Sequence, residues 1–319
     1  MSEKQDYIAF IEKQSDVPLF YKPWWLDAVC IDCKWDVVLS RDKSEKIDGV
    51  FVFTIKKKYG LLTSMNMPIL TPYLGVLFFT NSNVTKPHAL YSHQKRILEN
   101  VENKLPKSHY LHLHLHPKIK NTLGLNWKGF KTKNRYTYIL DLTNSLSEIE
   151  KNFKGSLRTD IKKASSNLTI QEDDNPSHFY AVNKKSFDRQ HMDMPYGEKL
   201  IDNIFKATKA NNDLLCLKAT DKNDNVHASV LIVYDTQSAY CLATGADPNF
   251  RNSGAISLLL WEAIKRSKGR VNNFDFEGGN IQSIEKLFRA FGGNMVNYLS
   301  IYRSPNRVLD SIFTLMGKV

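Results

Sequence analysis

Apolar and polar positions change period along the chain in a way that predicts mixed α/β structure. Short apolar or alternating runs at Trp35–Leu39, Val50–Lys56, Gly75–Phe79, Tyr110–His116 and Tyr136–Leu142 predict strands. Between the second and third lies MNMPILTPY, whose Pro68 and Pro72 no central strand would hold, so it reads as a loop. Helices are expected at Trp24–Asp32, opened by the aromatic-rich FYKPWWLDAVC, and at Ser92–Lys104, stopped before Pro106. After Asp141 the theme starts again. Turn and cap residues up to Ser145 precede one long helix, Leu146–Ser166, then a strand at Leu168–Gln171 and helices at Pro176–Gln190 and Gly197–Ala210. Three strands in a row, Leu214–Thr220, His227–Tyr234 and Ala239–Thr244, are joined by the hairpin-type turns DKNDN and DTQS. Helix Ser253–Ser267, strand Asn273–Phe276, helix Ile281–Phe291 and strand Val296–Ile301 follow, with an amphipathic helix over Arg307–Met316 at the end.

A chain of 319 residues is long for one core and about right for two. The restart of the pattern places the division at 1–142 and 143–319. Hydrophobic residues at 42% and charged residues at 24% are ordinary for a globular protein. MSEKQDYIAF lacks the layout of a signal peptide, and no apolar run is long enough to span a bilayer, so a cytoplasmic protein is expected. Four cysteines are too few for a disulfide scaffold. Cys30 and Cys33 read as buried thiols one helical turn apart, away from the strand-to-helix turn of a thioredoxin-like site. The net charge of +11 favours anionic partners: nucleotides, CoA, tRNA, anionic lipid headgroups or wall precursors.

Chemistry concentrates after Ala239. The loop GADPNFRNSGA carries two glycines and Arg251 just ahead of a helix, and the free N–H groups and dipole of a helix start favour a pyrophosphate. Asp275 and Glu277 stand two apart on a strand that runs into Gly278–Gly279, and alternation would put both carboxylates on one face. Upstream, Lys154, Arg158 and Lys162 fall at i, i+4 and i+8 of the long helix and line one side of it, with Lys151 and Lys163 widening the stripe. In LHLHLH at 111–116 the alternation collects His112, His114 and His116 on one strand face, read as a half-exposed surface with no metal. Walker, G-x-G-x-x-G and G-x-S-x-G motifs are absent from the sequence, which removes the P-loop, Rossmann and α/β-hydrolase classes.

The order of meander, helix, strand, helix and strand resembles the GNAT acyltransferase core, in which acyl-CoA pyrophosphate binds at R/Q-x-x-G-x-G/A. Here Arg251, Asn252, Ser253, Gly254 and Ala255 follow that pattern, and Ile256 stands where Gly or Ala is expected. The continuation FDFEGGNIQSIEKLFRAFGGNMVNYLSIYR is similar to the FemAB-like branch of that superfamily, as are NRYTYILDLTNSLSEIEKNFKGSLRTDIKKASSNLTI and FYKPWWLDAV. Fem proteins move amino acids from aminoacyl-tRNA to peptidoglycan precursors. The resemblance implies two GNAT-like domains in tandem, each a mixed, largely antiparallel sheet flanked by helices. It also implies an acyltransferase acting by direct attack, with acyl-CoA as co-substrate (or aminoacyl-tRNA as donor) and an amine acceptor, a small molecule or a cell-wall precursor. In that reading residues 251–255 hold the donor phosphates and Glu277, then Asp275, takes the proton. Tyr240 and Tyr302 are candidate donors to the intermediate or leaving group. Lys154, Arg158, Lys162, His114 and Tyr302 are candidate substrate-binding residues, and the acceptor is expected in the cleft between the halves, near the His112–His116 strand and the MNMPILTPY loop. The alternative is a non-catalytic binding module that kept the fold and an anionic partner, to which Ile256 lends weight; a weaker third reading is nonspecific tRNA binding through the basic helix.

Overall fold

The computed structural model describes residues 2–58, 62–79 and 86–304; the helix expected over Arg307–Met316 lies outside the described residues. In chain order the elements are α1 (Glu3–Ile11), α2 (Pro23–Val29), β1 (Lys34–Arg41), β2 (Ile47–Lys58), β3 (Leu62–Asn66), β4 (Gly75–Phe78), α3 (Pro87–Lys104), β5 (Tyr110–His114), α4 (Leu123–Asn126) and β6 (Lys131–Asp141). Then come α5 (Leu146–Lys151), α6 (Gly155–Ser165), β7 (Thr169–Glu172), α7 (Pro176–Arg189), α8 (Glu198–Ala210), β8 (Leu214–Thr220), β9 (Val226–Tyr234) and β10 (Ser238–Ala246). The series closes with α9 (Ala255–Ser267), β11 (Asn273–Asp275), α10 (Gln282–Ala290) and β12 (Asn294–Arg303). Contacts group residues 1–135 with those from Asn297 onward as one unit and Tyr136–Val296 as the other. The chain leaves the first unit along β6 and returns to it along β12, whereas the division expected at 142/143 kept β12 with the elements before it. Among the described residues no helix is long and apolar enough to cross a membrane.

In the first unit β2 is the central strand. β1 pairs antiparallel along one edge, while β4 and β3 share the other, β4 at Gly49–Val52 and β3 at Lys56–Lys58. β3 continues in parallel to β5, and β5 pairs antiparallel with β12. β3 takes Met65 and Asn66 out of the segment expected as loop, and Pro68 and Pro72 stay outside any strand. Aromatic side chains fill the core: Tyr7, Phe20, Tyr21, Trp25, Phe51, Phe53 and Tyr73 are essentially inaccessible. Two of the polar ends find partners: Trp25 Nε1 donates to Thr71 Oγ1 at 3.1 Å and the Tyr7 hydroxyl donates to the Tyr21 carbonyl. α2 ends at Val29, earlier than expected, with Cys30 as its C-cap. Cys30 and Cys33 are therefore half-buried, hydrogen-bonded thiols beyond the helix and not a buried pair on one helical turn.

The second unit carries the sheet order β6-β11-β10-β9-β8-β7, antiparallel except for β10 beside β11. Helices α6 and α9 pack on it through Leu157, Ile161, Ala164, Leu258, Leu259 and Ile264. The long helix expected over Leu146–Ser166 is two helices, broken at Asn152–Lys154. The break lets Phe153 turn inward, where its ring meets Trp261 at 5.0 Å and Phe291 at 5.1 Å, both edge-on. A continuous helix would hold Phe153 between the exposed Lys151 and Lys154; burial of a large ring outweighs one turn of helix propensity. Phe153→Ala is expected to lower unfolding free energy by roughly 3–5 kcal/mol, readable as a shift of the urea midpoint.

Candidate functional site

The sheet of the second unit opens in its middle. β10 and β11 run parallel and pair only over Ser238–Tyr240 and Asn273–Asp275, after which β11 ends and β10 continues to Ala246. β10 is bulged between Cys241 and Ala243, which adds local bend to a strand already losing a neighbour. Past the bulge, the Thr244 carbonyl accepts from Asn183 Nδ2 at 2.7 Å, and the Ala246 amide donates to Ser186 Oγ at 2.9 Å. In an antiparallel pair both backbone groups of a residue point the same way, so Thr244 and Ala246 face away from β9. α7 reaches this edge because Gly245 has no side chain: a Cβ there would come 2.5 Å from Asn183 Cα.

At the end of β11 lies a buried acidic group. Asp275 Oδ1 accepts from Thr137 Oγ1 at 2.5 Å and from the Glu277 amide at 2.9 Å. That second bond ends the alternation expected for this strand. Phe276 still donates to the Tyr138 carbonyl, but Glu277 takes a left-handed φ of +53°, unusual for a residue with a side chain. Asp275 and Glu277 are thus joined through a turn, carboxylate to backbone amide, and do not continue a strand alternation. Glu277 Oε1 is sealed from solvent with no hydrogen-bond partner among the described residues. Burial, and then the neighbouring Asp275 charge, push the Glu277 carboxyl well above its ordinary range. Cys241 shares this surrounding: burial, then Glu277 and Asp275, push its thiol up, so it stays protonated and unreactive. Tyr240 is placed differently. Its hydroxyl donates to Asp235 Oδ2 at 2.8 Å within the β9–β10 hairpin, and the ring is buried.

The turn from β10 to α9 begins with Asp247, whose Oδ1 accepts from the Asn249 amide at 2.9 Å and whose Oδ2 accepts from Lys185 at 2.6 Å. A single 3₁₀ turn, Pro248–Phe250, brings Phe250 flat onto the His227 ring, centroids 3.9 Å apart and 6° from parallel. Gly254 then caps α9 with φ +75°, a conformation that favours glycine. A Cβ at Gly254 would also come 2.9 Å from the Asp160 carbonyl, so this glycine seats α9 against α6. Arg251 and Asn252 are exposed, Ser253 Oγ accepts from the Ala255 amide, and Ile256 packs half-buried on the core. Residues 251–255 all line one cavity of about 440 Å³ together with His227, Phe250 and Asp160. Sequence reasoning missed these last three, as it missed Thr137 and Cys241. His227 and Phe250 belong to different strand and loop segments, and only the fold stacks them.

The basic residues are exposed, but not as a stripe on one helix. Lys154 is the N-cap of α6, with its amide bonded to the Ala290 carbonyl. Arg158 turns back to the Glu150 and Lys151 carbonyls, capping α5, and Lys162 lies in the last turn of α6. In the first unit, β5 buries its leucines fully and leaves His112 and His114 half-buried, while His116 lies beyond the strand end, buried against Tyr73. The expected half-exposed face thus holds for His112 and His114 but not for His116, which is buried. His112 Nε2 lies 2.7 Å from Ser300 Oγ, the His112 and His114 rings meet edge-on, and Tyr302 pairs in register with His112 beneath the Lys131 ammonium. His114 and Tyr302 therefore belong to the first unit and the other candidate residues to the second.

Residues 151–282 match the acetyltransferase (GNAT) domain family. The whole chain is similar in structure to FemX, with a TM-score of 0.70 and 13% identity over 98% of each chain. It also resembles the C-terminal domain of a putative lysylphosphatidylglycerol synthetase from Agrobacterium fabrum, with a TM-score of 0.57 and 9% identity over 98% of this chain and 95% of that one. A tandem GNAT protein from the clavulanic acid biosynthesis pathway aligns with a TM-score of 0.52 and 9% identity, over 94% and 93% of the two chains. No curated protein matches in sequence.

Proposed function

We propose that this chain, two GNAT-like units in tandem similar to the FemAB-like branch, is an acyltransferase that moves an acyl group from an activated donor to an amine by direct attack. The observation that carries this reading is the opening between β10 and β11. Glu277, with its Oε1 sealed, follows the end of β11 on one side of this opening, and on the other side β10 runs on to the Gly254 turn, whose residues 251–255 line a cavity that Glu277 does not line. The amine nitrogen attacks the donor carbonyl, the carbon–sulfur or carbon–oxygen bond breaks, and the nitrogen loses a proton as the amide forms. Glu277 takes that proton: a carboxylate whose proton affinity is raised by burial is better matched to an ammonium-like nitrogen than an ordinary one. Asp275 holds the Glu277 backbone in place and keeps a negative charge beside it. The backbone of Thr244, turned away from β9, is the candidate donor to the developing oxyanion.

The residues fit the phosphate groups of a donor at the start of α9, where Arg251 and the amides after Gly254 meet the cavity. Calorimetric titration with CoA tests this placement. Saturable binding is expected, weakened roughly tenfold by Arg251→Ala, with an unchanged melting temperature because Arg251 is exposed. No heat up to millimolar CoA removes the CoA form of the proposal. One observation favours aminoacyl-tRNA instead: Asn183 and Ser186 already occupy the β10 edge at Thr244 and Ala246, where the arm of a thioester would otherwise pair. In that case the exposed Lys154, Arg158 and Lys162 would meet the tRNA backbone. Charge reversal at the three would then abolish transfer from aminoacyl-tRNA. The acceptor class, an amine of a cell-wall precursor, rests on the Fem resemblance.

A further inference from the structure

The first unit carries a surface that the acyl-transfer reading does not use. α4 crosses α3 closely because Gly124 has no side chain; a Cβ there would come 3.0 Å from Leu98 Cβ and 3.2 Å from the Lys95 carbonyl. The short helix buries Gly124 and Leu125 in this crossing and turns Leu123 and Trp127 outward. Leu123 is 51% exposed, Trp127 61%, and Tyr91, on α3 one turn before Lys95, 58%. Leu123 and Trp127 thus stand exposed on one short helix and Tyr91 on the helix it crosses, and exposed apolar groups of this kind mark contact sites.

Charge identifies the occupant. Residues 86–135 hold 11 Lys and Arg against two acidic residues, Glu99 and Glu102. Both acids are already paired, Glu99 with Lys95 at 3.7 Å and Glu102 with Arg303 at 2.7 Å, and of the bases Arg96, Lys104 and Lys118 are paired with Asp48, Glu3 and Asp16, so the excess on this face rests on lysines such as Lys86 and Lys128. The exposed Lys128 directly follows Trp127, and the exposed Lys86 caps the end of α3 nearest Tyr91. Tryptophan, tyrosine and leucine rimmed by lysines is the composition of a side chain set that sits at a lipid headgroup layer. A stacking platform for nucleic acid needs open aromatic faces, but Lys95 sits over the Trp127 ring at 4.7 Å, and Leu123 has no face to offer. We propose that the α3–α4 face docks the protein on an anionic bilayer surface, Trp127 and Leu123 entering the headgroup layer and the lysines meeting lipid phosphates.

Co-sedimentation of the full chain with vesicles tests this. Binding to phosphatidylcholine–phosphatidylglycerol vesicles is expected, with little to phosphatidylcholine alone, and with steep loss as salt rises. Leu123→Ser combined with Trp127→Ser should weaken partition roughly tenfold or more. Both side chains are exposed, so the melting temperature should hold and shows that the fold is intact. In wild type, tryptophan emission should shift to the blue on vesicle addition, and Trp127→Phe should remove that shift. Absence of binding to anionic vesicles at low salt overturns the proposal. So does equal partition of the double variant, or a double variant that loses affinity for transfer RNA while its vesicle binding is unchanged.

Discussion

Replacing Glu277 by glutamine is expected to lower acyl transfer to an amine by roughly 10²–10⁴-fold while leaving the protein folded. Glutamine keeps the shape and the buried surface but cannot take a proton. Stability should not fall at neutral pH, and the sign follows from linkage. The folded-state pKa of Glu277 lies above its unfolded value, so its ionisation favours unfolding once the pH passes the ordinary glutamate range. Removing the carboxyl removes that slope, and Glu277→Gln should melt at the same temperature as wild type or higher above about pH 5. Asp275→Asn gives a contrasting pattern. Asp275 accepts two hydrogen bonds on Oδ1, and removing its charge lets the Glu277 pKa drop. The pH profile of the rate should then move to lower pH, with partial activity retained. Steady-state kinetics across pH, with melting curves on the same samples, measure all of this. A Glu277→Gln enzyme with kcat within a few-fold of wild type would remove Glu277 as the base.

Glu277 also shows what the amino-acid order carries and what it does not. Strand and helix positions followed from apolar periodicity, and most ends fall within a few residues of expectation: α7 (Pro176–Arg189), β8 (Leu214–Thr220) and β9 (Val226–Tyr234) are examples. Glycines before a helix pointed to Gly254 for a local reason, its left-handed φ. The same reasoning failed where a tertiary contact overrode local preference. Strand alternation was extended to Glu277, but the Asp275 carboxylate captures its amide and turns the chain. Helix propensity was extended through Asn152–Lys154, but the pocket of Trp261 and Phe291 pulls Phe153 inward. The partners of the site had no local signal. Thr137 reaches Asp275 from a strand 138 positions away, and Phe250 finds His227 only through a loop.

The histidines of the first unit are expected to make the protein acid-labile. Burial, and then the Arg135 charge, push His112 down to about 4. His114 is pushed to about 3 by burial, then by Arg135 and His112, although a hydrogen bond to the Pro72 carbonyl resists. Burial, then Lys118 and Lys120, hold His116 at about 3. All three stay neutral in the folded state at pH 5, whereas in the unfolded chain they protonate near 6.5. The unfolded state then binds more protons, so stability is intact above about pH 6.5 and declines through pH 5 toward the folded values. Each such histidine costs the folded state about 1.4 kcal/mol per pH unit in that window. With His112 discounted for partial exposure, the loss between pH 7 and pH 5 should be on the order of 4 kcal/mol, a large share of a typical 5–15 kcal/mol. Urea unfolding at the two pH values measures it. His114→Gln retains a donor for the Pro72 carbonyl but does not titrate, so it should lose roughly a third of the pH slope. A wild-type midpoint that does not move between pH 7 and pH 5 would mean that water or a carboxylate reaches these rings. An unchanged slope in His114→Gln would assign the loss to other groups.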